Sequence, residues 1–102
     1  MKIYISGKIT GLPHDEAAAI FNRAKAFLLA KGFEVVNPME LPHKHNKTWL
    51  NYMLSDLIAL AGCDFIYMLE NWQDSKGAKI EHDLASGAGI FIIFEKHNKY
   101  VS

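Results

Sequence analysis

Hydrophobic residues along this chain follow two periods, and segments of the two kinds alternate. Short apolar runs are typical of buried strands, whereas apolar residues every three or four positions are typical of helices. The predicted strands are Lys2–Ser6, Phe33–Val36, Asp64–Leu69 and Ile90–Phe94, and the predicted helices are Asp15–Lys31, a helix capped by Thr48, and Ala78–Gly87. The apolar stripe predicted for the second helix comprises Leu50, Met53, Leu54, Leu57, Ile58 and Ala61. Met39–Lys47 follows neither period and is predicted to be loop.

The alternation of strands with helices predicts one domain, residues 1–102, with an α/β fold. Nearly continuous apolar strands such as Ile90–Phe94 favour a mainly parallel sheet, because strands of this kind are buried on both faces. We expect a doubly wound sandwich of about four or five strands, similar to flavodoxin or Rossmann folds. Ligands of such folds bind beyond the carboxyl ends of the strands, where the loops Gly7–Gly11, Asn37–Lys47 and Glu70–Gly77 should meet.

The composition narrows the partners and the compartment. The 102 residues include 11 basic and 11 acidic side chains, so nothing favours a polymeric nucleic acid as partner. No apolar run approaches the roughly 20 residues of a membrane-spanning helix, and the run after Lys2 is too short for a signal peptide. The single cysteine, Cys63, excludes an internal disulfide and suits a reducing compartment. We therefore expect a cytoplasmic domain without a membrane partner.

The segment Asp74–Glu81 contains the strongest candidate for chemistry. It places Glu81 near the start of the third predicted helix, where unpaired backbone N–H groups favour an anion. The helical row that starts there continues through Leu84, Ala85 and Ala88, all apolar, so the carboxylate should face the protein. An inward-facing carboxylate beside a glycine-containing loop is a candidate nucleophile or general base.

Two residues in other elements are also candidates. Asp56 lies on the second predicted helix among largely apolar neighbours. Burial would raise its pKa and keep it protonated, as a proton donor requires; the alternative is an acid on the border of an amphipathic helix. Tyr4 on the first strand fits either the core or the mouth of the site.

The loop after the first strand contains Gly7, Lys8, Thr10 and Gly11. Its glycines permit close approach of the backbone, and Lys8 and Thr10 can hold a phosphate or a sugar hydroxyl. The loop lacks the Walker pattern and the glycine spacing of a dinucleotide site, and an ordinary turn between strand and helix remains the alternative.

Aromatic and metal-binding residue types give weaker signals. Trp72 lies in a predicted loop, where it can stack on a nucleobase or cover an apolar patch at a subunit contact. Together with Trp49 it indicates apolar surface, so we expect a homodimer or a higher homo-oligomer. His43 and His45 have no third ligand at suitable spacing, so we predict neither a metal site nor a cofactor.

Three segments together resemble the nucleoside 2-deoxyribosyltransferase superfamily, which includes the 2-deoxynucleoside 5-phosphate N-hydrolases. The first is Tyr4-Ile5-Ser6-Gly7-Lys8-Ile9-Thr10-Gly11, similar to the opening strand and loop of that superfamily. The second is Ser55-Asp56 followed by Cys63-Asp64-Phe65-Ile66, and the third is Ser75-x-Gly77-x-x-x-Glu81, similar to Ser-x-Gly-x-x-x-Glu in the hydrolase branch. The resemblance extends from about Tyr4 to Phe94 and is greatest for a group of small, poorly characterised bacterial and phage proteins.

This resemblance implies an enzyme that cleaves the N-glycosidic bond of a nucleoside, a deoxynucleoside or its 5-monophosphate, by hydrolysis or base transfer. By position, Glu81 would attack the anomeric carbon, Asp56 would donate a proton or orient the reactants, and Tyr4 would restrain Glu81. Ser75 and Gly77 would contact the sugar or the 5-phosphate. The implied partner is a small nucleoside or nucleotide.

The first loop departs from the hydrolase branch, because Lys8 and Thr10 stand in the loop where that branch has Ser and Arg for phosphate. A lysine supplies a point charge and not the bidentate fork of an arginine. The alternative function is a nucleotide-binding module, a sensor or regulator without turnover. Such a module would keep its affinity when Glu81 is replaced by Gln.

Overall fold

The computed structural model describes residues 1–41 and 48–96, which form a parallel sheet of four strands with helices on both faces. The strands are β1 Lys2–Ser6, β2 Glu34–Val36, β3 Phe65–Met68 and β4 Phe91–Phe94, and the helices are α1 His14–Ala30, α2 Trp49–Ala61 and α3 Lys76–Ala88. Short 3₁₀ turns, Pro38–Glu40 and Trp72–Asp74, follow β2 and β3. The predicted doubly wound α/β sandwich is confirmed.

The order of strands across the sheet is β2-β1-β3-β4, and every neighbouring pair is parallel. From β1 the chain goes to β2 on one side, and it then returns to β3 on the other side of β1. The winding direction therefore switches between β1 and β3. Ligands of doubly wound folds bind beyond the carboxyl ends of the strands at such a switch point.

Alternation along β1 divides its side chains between the two faces of the sheet. Ile3 and Ile5 pack in the cluster that α1 covers, with Phe21 among others. Tyr4 packs in the opposite cluster, with residues of α2 and α3 such as Leu60. The helices α2 and α3 thus lie side by side on the face of the sheet that Tyr4 occupies.

Local hydrogen bonds determine where the helices begin. Thr48 caps α2 as predicted, with its hydroxyl accepting from the backbone N–H of Asn51 at 3.3 Å. Helix α3 begins at Lys76, earlier than the predicted Ala78, because the Ser75 hydroxyl accepts from the N–H of Ala78 at 3.1 Å and so completes a further turn.

The predicted loop Met39–Lys47 is correct only in part. Met39 lies in the 3₁₀ turn Pro38–Glu40, which the Asn37 side chain initiates by accepting from the backbone N–H of Met39 at 3.0 Å. Positions 42–47, and with them His43 and His45, lie outside the described residues.

The residues of the apolar stripe predicted for α2 lie on this helix but do not form one buried face. Met53 and Leu60 are buried, whereas Leu50, Leu54 and Ile58 are 61%, 49% and 75% exposed. The two sets form separate rows, because residues one helical turn apart line up along one side of a helix. Within residues 1–41 and 48–96, none of the helices is both long and apolar enough to cross a lipid bilayer.

Candidate active site

A buried carboxylate with hydroxyl donors on both of its oxygens forms the centre of the site. Glu81 of α3 is 5% exposed, as its apolar helical row predicted. The Tyr4 hydroxyl donates to Oε2 at 2.6 Å, and the Ser6 hydroxyl donates to Oε1 at 2.6 Å. Tyr4 and Ser6 point to the same face because they are alternate residues of β1. The strand at the switch point therefore fixes both the position and the rotation of the carboxylate.

Asp56 of α2 is the second buried acid on this face. Its side chain is 9% exposed, so the structure has the buried acid and not the border acid of the two alternatives. Its charge raises the pKa of both Tyr4 and Glu81, which places it within electrostatic range of the two. Helices α2 and α3 therefore each contribute one carboxyl group to the same region.

Burial dominates the protonation of this group of residues. It raises the pKa of Glu81 to about 7, while the hydrogen bonds from Ser6 and Tyr4 act in the opposite direction. Burial also raises the pKa of Asp56 to about 7. The pKa of Tyr4 is raised far above its ordinary value, by burial and then by the charge of Glu81, so Tyr4 remains a neutral donor. Two acids that titrate near neutral pH can share one proton between them.

The loop after β1 meets the loop after β3, as predicted. The backbone N–H of Lys8 donates to Oδ1 of Asn71 at 3.0 Å. A Cβ at Gly7 would lie 2.5 Å from Cδ1 of Leu69, so only glycine allows this approach. Thr10 and Gly11 lie farther along the loop and are exposed. Contact of Gly7, Lys8, Thr10 and Gly11 with a substrate stays a prediction.

Ser75 and Gly77 have structural roles at the start of α3. Ser75 caps the helix, and a Cβ at Gly77 would lie 2.9 Å from Sδ of Met53. Gly77 therefore allows α2 and α3 to approach each other at the end that adjoins the loops. Contact of either residue with a sugar or a phosphate stays a prediction.

Trp72 stacks on His82 of α3, with ring centroids 4.8 Å apart and an interplanar angle of 17°. The centroid of the Phe94 ring lies 5.9 Å from the centroid of the indole ring. Trp72 is half-buried in this aromatic cluster and lies in the 3₁₀ turn that precedes the helix with Glu81. This packing within one chain tests neither of its sequence-based alternatives, so stacking on a nucleobase and covering an apolar patch at a subunit contact both stay predictions.

No group of three or more His, Cys, Asp or Glu residues is positioned to hold a metal ion in the described ranges 1–41 and 48–96. Cys63 is 7% exposed, and burial raises the pKa of its thiol, which makes it a poor nucleophile.

Sequence reasoning missed two residues of the site. Ser6 was available from the pattern, since it shares a face of β1 with Tyr4 and a buried carboxylate needs donors. Asn71, whose side chain joins the two loops, gave no signal, because its contact with Lys8 spans a sequence separation of 63 residues.

A doubly wound α/β sandwich with two buried carboxyl groups beside its switch point is the class of structure that these observations define. The chain belongs to the family described as Domain of unknown function (DUF4406), whose model matches residues 1–94. Among solved structures it is similar to a 2-deoxyribosyltransferase from Bacillus psychrosaccharolyticus, with a TM-score of 0.71 and 20% identity over 92% of this chain and 71% of that one. At this identity the likeness shows a shared fold. No curated protein matches the chain.

Proposed function

We propose that this protein cleaves the N-glycosidic bond of a nucleoside or its 5′-monophosphate, with Glu81 as nucleophile and Asp56 as acid and base. The observation that carries the proposal is the Glu81 carboxylate, buried and held by the Tyr4 and Ser6 hydroxyls at 2.6 Å each. The similar fold of an enzyme named as a 2-deoxyribosyltransferase supports the substrate class. The expected setting is a cytoplasmic homodimer that acts without metal or cofactor.

In the first step, a Glu81 oxygen forms a bond to the anomeric carbon as the bond from that carbon to the base nitrogen breaks. The electron pair of the broken bond goes to the base, and Asp56 transfers its proton to the base. The sugar passes through an oxocarbenium-like state, which the nearby carboxylate stabilises. The product is a glycosyl ester of Glu81 and a neutral free base.

The protonation states that this step needs follow from the surroundings of the two acids. Hydrogen bonds to a charged carboxylate favour its ionised form, and Glu81 accepts one on each oxygen. Burial raises the pKa of both Asp56 and Glu81 to about 7, so near neutral pH one of the two can keep a proton while the other is ionised. Two like charges disfavour ionisation of both acids, and because the hydrogen bonds from Tyr4 and Ser6 favour the ionised form of Glu81, we assign the shared proton to Asp56.

In the second step, a water molecule or a second base attacks the anomeric carbon and breaks its ester bond to Glu81. Asp56, now a carboxylate, takes the proton that the attacking group releases. Attack by water gives hydrolysis and attack by a base gives transfer, and both return the two acids to their starting states.

The test is release of free base from a panel of nucleosides, deoxynucleosides and their 5′-monophosphates, measured by chromatography. Glu81→Gln should lower the rate by about 10³-fold or more, because an amide cannot form the ester. Glu16→Gln, which makes the same change at an exposed position of α1, is the matched control and should keep the full rate. Intact mass after acid quench should show the glycosyl adduct on the wild type alone.

Absence of base release from every substrate would contradict the proposal. If nucleotides then bound the wild type and Glu81→Gln equally well, the result would favour a nucleotide-binding module on the same fold. Equal rates of release by wild type and Glu81→Gln would retain the activity and exclude Glu81 as its nucleophile.

A further inference from the structure

The outward side of the α2–α3 layer exposes large apolar side chains on both helices. Leu50, Leu54 and Ile58 succeed one another by single helical turns along α2. Ile80 and Leu84, one turn apart on α3, are also exposed. Monomeric proteins rarely expose contiguous apolar patches of this kind.

A groove adjoins the end of α2 and has the exposed Leu84 of α3 in its lining. This groove has a volume of about 400 Å³, and its lining includes Ala61, Leu84, Ala88 and Phe91. Phe91, at the start of β4, is 68% exposed. The groove lies at the edge of the sheet where the strands begin, away from the loops after β1 and β3. We call Leu50, Leu54, Ile58, Ile80, Leu84 and Phe91 the apolar face.

The charges of α2 distinguish between the possible occupants of this face. The helix contains one charged residue, Asp56, and that residue is buried. A helix that binds a membrane surface carries Lys or Arg beside its apolar side, and α2 has neither. The two lysines of α3 are Lys76, which lies over the Trp49 ring, and Lys79, which is one turn from Asp83. A two-fold contact sets a surface against itself, so that a charged patch repels its copy and an uncharged one does not.

The charges of α3 also suit a second copy of the chain. Lys79 and Asp83 are exposed, opposite in sign and one helical turn apart. In an antiparallel pairing of α3 with its copy, each lysine would lie near the aspartate of the other copy. Helices α2 and α3 run parallel to each other. Leu54, near the middle of α2, therefore lies at about the same height along the layer as the midpoint between Lys79 and Asp83.

The area of the apolar face is adequate for a stable contact. Its side chains, together with Trp49, expose on the order of 700 Å², against about 800 Å² per partner in an interface of standard size. Burial of leucine, isoleucine and aromatic side chains is the main favourable term in such an association.

We propose that two copies of this chain form a dimer through the apolar face, with α2 and α3 packed antiparallel on their copies about a two-fold axis near Leu54. The sequence-based expectation of a homodimer relied in part on Trp72, but Trp72 is half-buried beside His82. The proposed contact surface of the dimer is instead on α2 and α3. The helices that carry Asp56 and Glu81 on their inner sides would then be fixed from both sides.

The mass of the protein in solution tests this proposal. Light scattering or sedimentation at micromolar concentrations should give twice 11.5 kDa for the wild type. Leu54→Lys should raise the dimer dissociation constant by about 100-fold or more, because it sets two like charges together at the axis. The matched control is Leu29→Lys, at a position of α1 with 52% exposure against 49% for Leu54, and this variant should remain a dimer.

Mixing experiments test whether the face contacts itself. Leu54→Lys and Leu54→Glu should each be monomeric alone and should form a heterodimer when mixed, because opposite charges then meet. A monomeric wild type, a dimer that survives Leu54→Lys, or a mixture that stays monomeric would overturn the proposal. Circular dichroism of each variant establishes that it is folded. None of these measurements involves catalysis, so their outcome is independent of the proposed reaction.

Discussion

The two faces of the sheet make different use of the same strand. On the α1 side, Ile3 and Ile5 of β1 belong to a cluster of apolar residues that also contains Phe21. On the α2–α3 side, Tyr4 and Ser6 of β1 donate hydrogen bonds to Glu81. Both acids that are buried among the described residues belong to this second side. Burial of ionisable groups opposes folding. Both sides have an apolar cluster, but only the second combines it with buried acids, and to that side we assign the proposed chemistry.

After Glu81→Gln, the largest effect on the side of the sheet with the acids is expected from Asp56→Asn. This change removes the transferable proton and keeps the size of the side chain, so the rate of base release should fall by about 10²–10⁴-fold. Above pH 7, where Asp56 would ionise, the free energy of unfolding should stay the same or rise, because the amide removes the cost of burying a charged carboxylate. Steady-state kinetics and urea denaturation of the same preparation measure both quantities. Full activity in Asp56→Asn would remove this residue from the mechanism.

The side of the sheet that α1 covers should respond in the opposite way. Phe21→Ala creates a cavity in a fully buried position and should lower the free energy of unfolding by about 3–5 kcal/mol. The rate per folded molecule should remain that of the wild type, because Phe21 does not contact the acids. Leu28→Ala, at about 2–5 kcal/mol, is the milder variant if Phe21→Ala does not fold. A fall in the rate at unchanged stability would break the proposed division between the faces.

The sequence predicted what depends on neighbours in the chain and not what depends on distant contacts. Period and capping residues are local, so the strands, the Thr48 cap and the inward orientation of Glu81 follow from the pattern. The bond from Ser6 to Glu81 spans a separation of 75 residues and depends on how α3 lies over β1. Which apolar residues of α2 are buried could not be predicted for another reason. An apolar pattern does not distinguish a side that packs inside the protein from one that remains exposed.

Stability should depend on pH through the two buried acids. Their pKa values of about 7 in the folded chain lie above the ordinary values of 4.5 for Glu81 and 3.8 for Asp56. Between those limits the folded state binds more protons than the unfolded state, so the free energy of unfolding falls as pH rises from about 5 to 8. We expect a decrease on the order of 1–3 kcal/mol over this range.

Thermal denaturation at a series of pH values measures this dependence. The double variant Asp56→Asn, Glu81→Gln should lose most of it, because neither amide titrates. Glu16→Gln, which is exposed, should retain the profile of the wild type. A wild-type stability that rises between pH 5 and 8 would show that the acids are not buried in the way described.

The smallest and most specific effect concerns Ser6. Removal of its hydroxyl in Ser6→Ala takes away the donor to Oε1 of Glu81, and since that hydrogen bond lowers the pKa of Glu81, the pKa should rise further. The acidic limb of the pH–rate profile should move up by about 0.5–1 pH unit, with activity recovered at higher pH. Carbon-13 NMR of the Glu81 carboxyl group measures the same shift without any substrate. Ile5→Val, the neighbouring change on the α1 side, should cost about 0.5–1.5 kcal/mol of stability and leave this limb in place. If both variants moved the limb equally, packing of β1 and not the hydroxyl would control the charge on Glu81.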